Sequence, residues 1–241
     1  MNSFWRLVVA IVALSLPAKL LAEINHYVEA VVSDAASYEK LLDDWMKSDD
    51  ARRAGHRLTL MSVIANGPSA ATHVVVAQVA DYTGIDRLLR TASRSKDWQA
   101  LQAAAAAICK ADTEGHAVVL ASYGSPRWEE GDVIAVLAMR IKDEAAYEMA
   151  FSELQGSTPG KQAPGMVRLM RTMEGGAVSH YVLVTGPGFD AVNRYLDAMK
   201  ASAEYARFQS AGQRKRRGDR NSIHPRRQSL GQRGIIMLIR N

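Results

Sequence analysis

The sequence is poor in cysteine and lacks the motifs that mark a metal or nucleophile site. Cys109 is the single cysteine in 241 residues, so no intramolecular disulfide can form and stability must come from packing. The six histidines form no His-x-His, His-Glu-x-x-His or Cys/His spacing of the kind that holds a metal ion. A Gly-x-Ser-x-Gly nucleophile elbow and a complete P-loop are also absent. Any catalytic group must therefore be assembled by tertiary contacts.

Residues 1–22 have the pattern of an export signal. Arg6 precedes an apolar run over residues 7–18, and small residues follow up to Ala22. This run is shorter than the roughly 20 residues that a hydrocarbon core requires, which favours a signal peptide over an uncleaved membrane anchor. Cleavage after Ala22 would start the mature chain at Glu23. We therefore expect a periplasmic or secreted protein with no transmembrane segment after signal cleavage.

The positive charge of the chain is concentrated in one segment. The net charge is +5 and the pI is about 9.4. Between Arg214 and Arg233, eight arginine or lysine residues stand against one aspartate. This segment contributes +7 and residues 1–22 contribute +2, which leaves the rest of the chain at −4. The folded body is therefore expected to be mildly acidic.

An internal repeat covers most of the mature sequence. Residues 33–39 align with residues 142–148 at an offset of 109, and residues 72–76 align with residues 179–183 at an offset of 107. The second register continues without a gap to Gln209. Two registers that differ by two residues indicate a duplication with a change in loop length.

In each copy, segments with the hydrophobic periodicity of strands and of helices follow one another in the same order. This order predicts a β-α-β-β-α-β unit. The first copy occupies residues 23–124, a linker covers residues 125–131, and the second copy occupies residues 132–241. The predicted strands are 24–32, 58–65, 73–79, 116–123, 133–141, 166–173, 180–185 and 235–239, and the predicted helices are 36–46, 85–110, 145–154 and 189–210. The fold class is therefore α+β, with two tandem ferredoxin-like repeats packed sheet to sheet so that each covers the apolar sheet face of the other.

This duplicated order resembles the dimeric α/β-barrel superfamily, which includes antibiotic-biosynthesis-type monooxygenases and tandem haem proteins of the chlorite-dismutase and dye-decolourising-peroxidase types. The resemblance covers nearly all of the mature chain and rests on element order and duplication. It implies a pocket between the sheets for a small apolar or aromatic molecule, or for haem. The Gly-x-x-Asp-Gly signature of the dye-decolourising peroxidases is absent, and the Asn, Trp and His set of the haem-degrading members finds no matching positions.

Two residue pairs repeated between the copies are candidate ligand-binding residues. His73 and His180 each open the third strand of their copy, where they could face a shared pocket and ligate a haem iron. Alternatively, each imidazole stabilises its own hairpin. Tyr38 and Tyr147 could line the pocket with their hydroxyls, or they belong to the core face of their helices.

The basic segment 213–233 lies between the last helix and the last strand, where the second copy is about 11 residues longer than the first in the aligned register. Such an insertion is expected to form a surface loop. It could attract an anionic surface, or it could be no more than a soluble loop. No aromatic residue interleaves its basic residues, so specific nucleic-acid binding is not expected. The candidate anion-binding residues are Arg214, Lys215, Arg216, Arg217, Arg226 and Arg227.

Two functions follow from these observations. The first is a non-catalytic module that binds a small ligand or a partner, and the second is a monooxygenase-like or haem-dependent enzyme that uses His73 or His180. An empty interior with both imidazoles pointing inward favours the enzyme. A filled interior with both imidazoles bonded near their turns favours the module. We expect the module, with its ligand left open.

Overall fold

The computed structural model describes residues 23–65, 69–174, 178–214 and 233–240. These residues form eight strands and seven α-helices. The strands are β1 (Ile24–Val32), β2 (Arg57–Ala65), β3 (His73–Val79), β4 (Cys109–Gly124), β5 (Val133–Met139), β6 (Met166–Thr172), β7 (His180–Gly186) and β8 (Arg233–Arg240). The helices are α1 (Ala35–Met46), α2 (Asp49–Ala54), α3 (Tyr82–Arg94), α4 (Lys96–Ala105), α5 (Glu144–Gly156), α6 (Phe189–Ala201) and α7 (Ala203–Arg214).

The eight strands form one closed antiparallel barrel in the order β1-β3-β2-β8-β5-β7-β6-β4. The first four strands take the order β4-β1-β3-β2, and the last four take the matching order β8-β5-β7-β6. Both are the strand order of a ferredoxin-like unit. The α+β class predicted from the sequence is therefore confirmed.

The two four-stranded sheets are joined along their edges. Strand β2 pairs with β8, with Met61 opposite Ile239, and β4 pairs with β6, with Val118 opposite Arg171. The sequence predicted two sheets that each cover the apolar face of the other, and it did not predict these edge ladders. A side-chain pattern indicates which face of a sheet is apolar and gives no information about edge pairing. Edge pairing leaves no strand of the barrel with an unpaired side.

Side chains alternate between the barrel interior and the outer layer beneath the helices. Along β3, Val74 and Val76 belong to an interior cluster, whereas Val75 packs among residues of α1. Along β7, Tyr181 and Leu183 face the interior cluster. The buried members of this interior cluster are Met61, Val74, Val76, Trp128, Ile134, Val136 and Met166. The barrel interior is thus filled by large side chains from both halves of the chain.

The two long predicted helices, 85–110 and 189–210, are each two helices in the structure. Ser95 and Ser202 interrupt them with extended backbone, at ψ 126° and 150° respectively. Each serine hydroxyl accepts a hydrogen bond of 3.1 Å from a backbone N–H of the next helix, at Trp98 and Tyr205. A serine N-cap therefore starts a new helix where the apolar period alone predicted continuity.

Strand β4 differs most from its prediction. It begins at Cys109, inside the predicted helix, and runs for 16 residues instead of starting at His116. Its length lets it pair with β1 on one side and with β6 on the other. The short helix α2 was not predicted, because six residues are too few to show an apolar period. Among the described residues, none of the helices has the length and apolar character needed to cross a membrane.

A truncated chain that ends at residue 129 tests the dependence of one half on the other. We expect this fragment to self-dimerise or aggregate, because β2 and β4 would lose their edge partners and the interior side chains Met61, Val74 and Val76 would be exposed. Size-exclusion chromatography with light scattering measures the outcome. A stable monomeric fragment would contradict the interdependence of the two sheets.

Candidate functional site

The described residues form a polar cavity of about 270 Å³ at one end of the barrel, which we call the mouth pocket. It lies where β1 begins and β3 ends, beside the segment that joins β4 to β5. Three arginines and one carboxylate contribute to its wall, together with one tryptophan. The lining residues are Glu23, Arg57, Gln78, Val79, Ala80, Pro126, Arg127, Trp128 and Arg168.

The joining segment reaches the mouth because of a close backbone approach at its start. Gly124 has a φ of +74°, and a Cβ at this position would collide with the carbonyl oxygen of Gly165. The Ser125 N–H donates to the same oxygen at 3.2 Å. Further along, the Glu129 N–H donates to the Asp132 carboxylate at 2.9 Å. A glycine is thus required where the chain leaves β4, and the segment that follows is held by its own hydrogen bonds.

Trp128 inserts from this segment into the barrel. Its side chain is only 2% exposed and belongs to the interior cluster. The indole N–H donates to the Thr59 hydroxyl at 3.4 Å. The guanidinium carbons of Arg57 and Arg168 lie 6.0 and 5.6 Å from its ring centroid, within cation–π range. Trp128 therefore forms the base of the pocket and orients two of its arginines.

Arg168 is the most deeply buried charge in the pocket, with 6% of its surface exposed. It lies on β6 between Val167 and Leu169, which face the helices, so its own side chain points inward. One terminal nitrogen forms an ion pair with Glu23 and the other lies 3.4 Å from the Pro126 carbonyl oxygen. The Arg168 Nε is buried and has no hydrogen-bond partner. A buried N–H donor without an acceptor carries an energetic cost of about 1–3 kcal/mol.

The remaining polar groups give the mouth pocket a net positive charge. The Glu23 carboxylate, the only acid in the wall, is shared between Arg168 and the Gln78 amide, whose Nε2 donates to it at 2.9 Å. Arg57 donates to the Trp128 carbonyl oxygen at 3.4 Å, and no carboxylate of the described residues pairs with it. This arrangement supplies hydrogen-bond donors for an anion, and its one carboxylate is already engaged.

The structure places His73 and His180 in the outer layer and on opposite sides of the barrel. Strands β3 and β7 are separated by three strands in either direction around it. Each histidine lies two residues from a valine that packs under the helices, which puts its side chain on the same outer face. The two imidazoles therefore do not share a pocket.

Each of these imidazoles bonds the hydroxyl of the residue before it. The His73 Nδ1 lies 2.9 Å from the Thr72 Oγ1, and the His180 Nδ1 lies 2.8 Å from the Ser179 Oγ. The His180 Nε2 also lies 2.9 Å from the Glu144 carboxylate at the start of α5. These contacts join each histidine to the turn before its strand.

The described residues do not fit a haem at the predicted position. Both ring nitrogens of His180 are engaged by protein groups, so neither is free to ligate iron. His73 is 93% buried and lies on the outer face of the barrel, away from the interior between the sheets. The interior between the sheets is filled by the interior cluster, and the mouth pocket contains no histidine or cysteine. No step is therefore assigned to a haem.

The two tyrosine candidates also lie in the outer layer. Tyr38 is buried among residues of α1 and α4, and burial together with Cys109 raises the pKa of its hydroxyl. The Tyr147 hydroxyl donates to the Met139 sulfur at 3.1 Å, and burial raises its pKa as well. Both residues occupy core positions of their helices. Of the basic-segment candidates, Lys215, Arg216, Arg217, Arg226 and Arg227 lie outside the described residues, and Arg214 ends α7.

Sequence reasoning missed the residues of the mouth pocket. Trp128 was assigned to a linker on the strength of its glycine, proline and charged neighbours, although a large aromatic residue is unusual in such a segment. Arg168 stands between two apolar residues of its strand, Val167 and Leu169. A charge flanked by apolar residues in a predicted strand is a signal that could have identified it.

Comparisons with known proteins identify the fold. No protein-family model and no curated protein matches the sequence. A candidate monooxygenase from Fusobacterium nucleatum subsp. nucleatum has a TM-score of 0.58 at 11% identity, covering 91% of this chain and 93% of that chain. A candidate monooxygenase from Lactobacillus acidophilus has a TM-score of 0.56 at 9% identity, covering 90% and 93%. An anthrone oxidase-like protein has a TM-score of 0.50 at 9% identity, covering 91% and 92%.

These neighbours have the dimeric α/β-barrel fold, so the fold resemblance found in the sequence is confirmed. At such identities the likeness concerns the fold and carries no activity to this chain.

A second pair of histidines, His26 and His116, lies on the neighbouring strands β1 and β4. The two rings lie 4.8 Å apart on neighbouring strands, and the His116 Nδ1 lies 2.5 Å from the Glu174 carboxylate. Burial lowers the pKa of His26 below its ordinary value of 6.5, and the adjacent His116 lowers it further. The folded protein thus favours the neutral imidazole of His26.

We expect the free energy of unfolding to fall as the pH drops below about 6.5, because the unfolded chain then binds a proton that the folded His26 resists. This stabilisation is fully present above pH 6.5 and is lost as the pH falls toward the lowered pKa. Urea denaturation between pH 7.5 and 5 measures the slope. His26→Gln should flatten it, by up to about 1.4 kcal/mol per pH unit, whereas an unchanged slope in this variant would assign the acid sensitivity to other groups.

Proposed function

We propose that the protein is a non-catalytic binding module that holds a small anionic molecule in the mouth pocket. The observation that carries this proposal is the buried cation Arg168, which lines the pocket and whose Nε has no hydrogen-bond partner. Arg57 adds a second guanidinium, and unlike Arg168 it has no carboxylate partner among the described residues. A carboxylate or another small oxyanion is the ligand that such planar donors bind best.

The size of the pocket favours a small ligand. Its volume of about 270 Å³ lies just below the ~300–1,000 Å³ of most ligand pockets. The sequence predicted a small apolar molecule between the sheets, but the interior cluster occupies that space. We therefore locate the ligand at the mouth of the barrel, where Val79 and Pro126 offer a limited apolar surface beside the arginines.

The alternative of a monooxygenase-like enzyme rests on the fold and on the names of distant structural neighbours. The interior is filled, and the imidazoles of His73 and His180 lie on the outer face and bond near their turns. Both observations favour the binding module. Fold likeness alone does not transfer a reaction, because one fold serves many functions.

We also propose that the chain arose by tandem duplication of one ferredoxin-like unit. Several hydrogen bonds of the first half recur in the second half, between residues that the sequence repeat aligns. The Val32 N–H donates to the Thr72 hydroxyl at 2.9 Å, and the Ile141 N–H donates to the Ser179 hydroxyl at 2.8 Å. The helix caps at Asp34 and Asp143, and those at Ser95 and Ser202, recur in the same way. Under this proposal, the histidine contacts are duplicated with the hairpins that they stabilise.

The mouth-pocket proposal is tested with the mature protein and three soluble anions: acetate, benzoate and phosphate. Saturable binding of at least one anion, followed by Trp128 fluorescence and by calorimetry, is the expected result. Arg168→Gln should weaken this binding by tenfold or more, because a hydrogen bond to a charged group is worth about 1.5–3 kcal/mol. Arg171→Gln is the matched control, since Arg171 lies on the same strand and pairs with Glu144 on the outer face. Equal affinities of wild type and Arg168→Gln, or no saturable binding, would refute the proposal.

Two further proposals concern the ends of the sequence pattern, the apolar N-terminal segment and the basic segment. We propose that residues 1–22 are removed on export and that segment 213–233 contacts an anionic surface. N-terminal sequencing of protein recovered from the periplasm or the medium should give Glu23 as the first residue. Recovery of an intact Met1 in a membrane fraction would instead identify an uncleaved anchor.

A further inference from the structure

A second cationic site lies on the outer surface of the first half, between α2 and α3. The described residues enclose there a cleft of about 420 Å³, lined by Arg53, Arg87, Arg90 and Arg94. One carboxylate, Asp50, and the hydroxyl residues Thr91 and Ser95 complete its wall. We call this the arginine cleft. It is separate from the mouth pocket, with which it shares no lining residue.

The spacing of three of the arginines places them on one face of α3. Arg87, Arg90 and Arg94 are three and four residues apart, so they are neighbours along the helix surface. Gly55 ends α2 in the left-handed conformation at φ 66°, and the Arg87 side chain covers it. Arg53 then approaches from α2. Like charges at these spacings destabilise a helix, so their grouping is not explained by helix stability.

Among the described residues, only one of the four arginines of the cleft has an ion-pair partner. Arg53 forms an ion pair with Asp50. Arg87, Arg90 and Arg94 are exposed, and no carboxylate of the described residues forms an ion pair with them. The cleft therefore carries a local charge of about +3 on a folded body that is otherwise acidic. This concentration of unpaired charge attracts a polyanion.

The second half of the chain shows that the fold does not require this cluster. Arg194 on α6 occupies the position that corresponds to Arg87, and it is paired with Asp190 at 2.8 Å. The positions that correspond to Arg90 and Arg94 hold Asp197 and Ala201. The corresponding helix thus folds in the second half with a neutralised surface, so a helix at this position forms without three unpaired arginines.

We propose that the arginine cleft binds a ligand that carries two or more phosphate groups. Guanidinium groups bind phosphate oxygens through two parallel N–H donors, and three unpaired arginines around one cleft match more than one such group. The Thr91 hydroxyl provides a further donor. None of the lining residues is aromatic, so the cleft offers no stacking surface for a nucleobase. A soluble oligophosphate and the phosphorylated headgroup of a lipid share this chemistry.

The test uses the full mature chain and inorganic tripolyphosphate as the soluble probe, measured by calorimetry at low and high salt. We expect saturable binding that weakens with salt and that falls at least tenfold in the double variant Arg87→Gln/Arg90→Gln. The matched control is Arg194→Gln, which should bind as the wild type does. Both sites are exposed helix positions, and thermal unfolding verifies that each variant folds.

Vesicles of phosphatidylcholine with phosphatidic acid distinguish the two sources of phosphate. Sedimentation with these vesicles, lost in the Arg87→Gln/Arg90→Gln variant, identifies a lipid headgroup, whereas binding of tripolyphosphate alone identifies a soluble ligand. Tripolyphosphate binding that is equal in wild type and double variant overturns the proposal and assigns the affinity to other basic residues, such as those of segment 213–233. Binding of a DNA oligonucleotide in preference to both probes would overturn it as well.

Discussion

Edge pairing between the two sheets is the interaction on which the rest of the structure depends. The ladders β2–β8 and β4–β6 turn two four-stranded sheets into a closed barrel. Without them, each sheet would have two free edges and an apolar face exposed to water. With them, the interior side chains of both halves form one cluster, and the helices remain outside. The location of every candidate site follows from this division into an inner and an outer layer.

Because of this division, the two cationic sites lie at different depths, one at the barrel interior and one on the helix layer. The mouth pocket lies where the barrel interior reaches solvent, and its central charge, Arg168, comes from an inward-facing strand position. The arginine cleft lies on the helix layer, and its charges are exposed. A buried guanidinium favours one small ligand with matched acceptors, since desolvation penalises a poor fit. An exposed cluster tolerates variety in shape and responds more strongly to salt.

The order of strands and helices could be predicted from the sequence, because the hydrophobic periodicity and the internal repeat indicate it directly. Strands β1 and β3 were predicted to the residue, and the duplicated alignment led to the correct fold class. The helix interruptions at Ser95 and Ser202 were missed because a cap is a single-residue signal within a long apolar period.

The candidate site could not be predicted in the same way. His73 and His180 were conspicuous because they recur in the sequence repeat, but each of them bonds the hydroxyl residue just before its own strand and not a shared site. Trp128 and Arg168 do not repeat, and they lie 40 residues apart in sequence. Their proximity arises from the β4–β6 ladder and from the turn at Gly124, which are tertiary features.

The position of β8 has a consequence for how the chain folds in time. This strand comes after the other seven strands in the chain, yet it pairs with β2 near the beginning and with β5 in the middle. Contacts this distant in sequence slow folding, and the barrel cannot close before β8 has paired with both strands. Closure of the barrel therefore depends on the strand that is synthesised after the other seven.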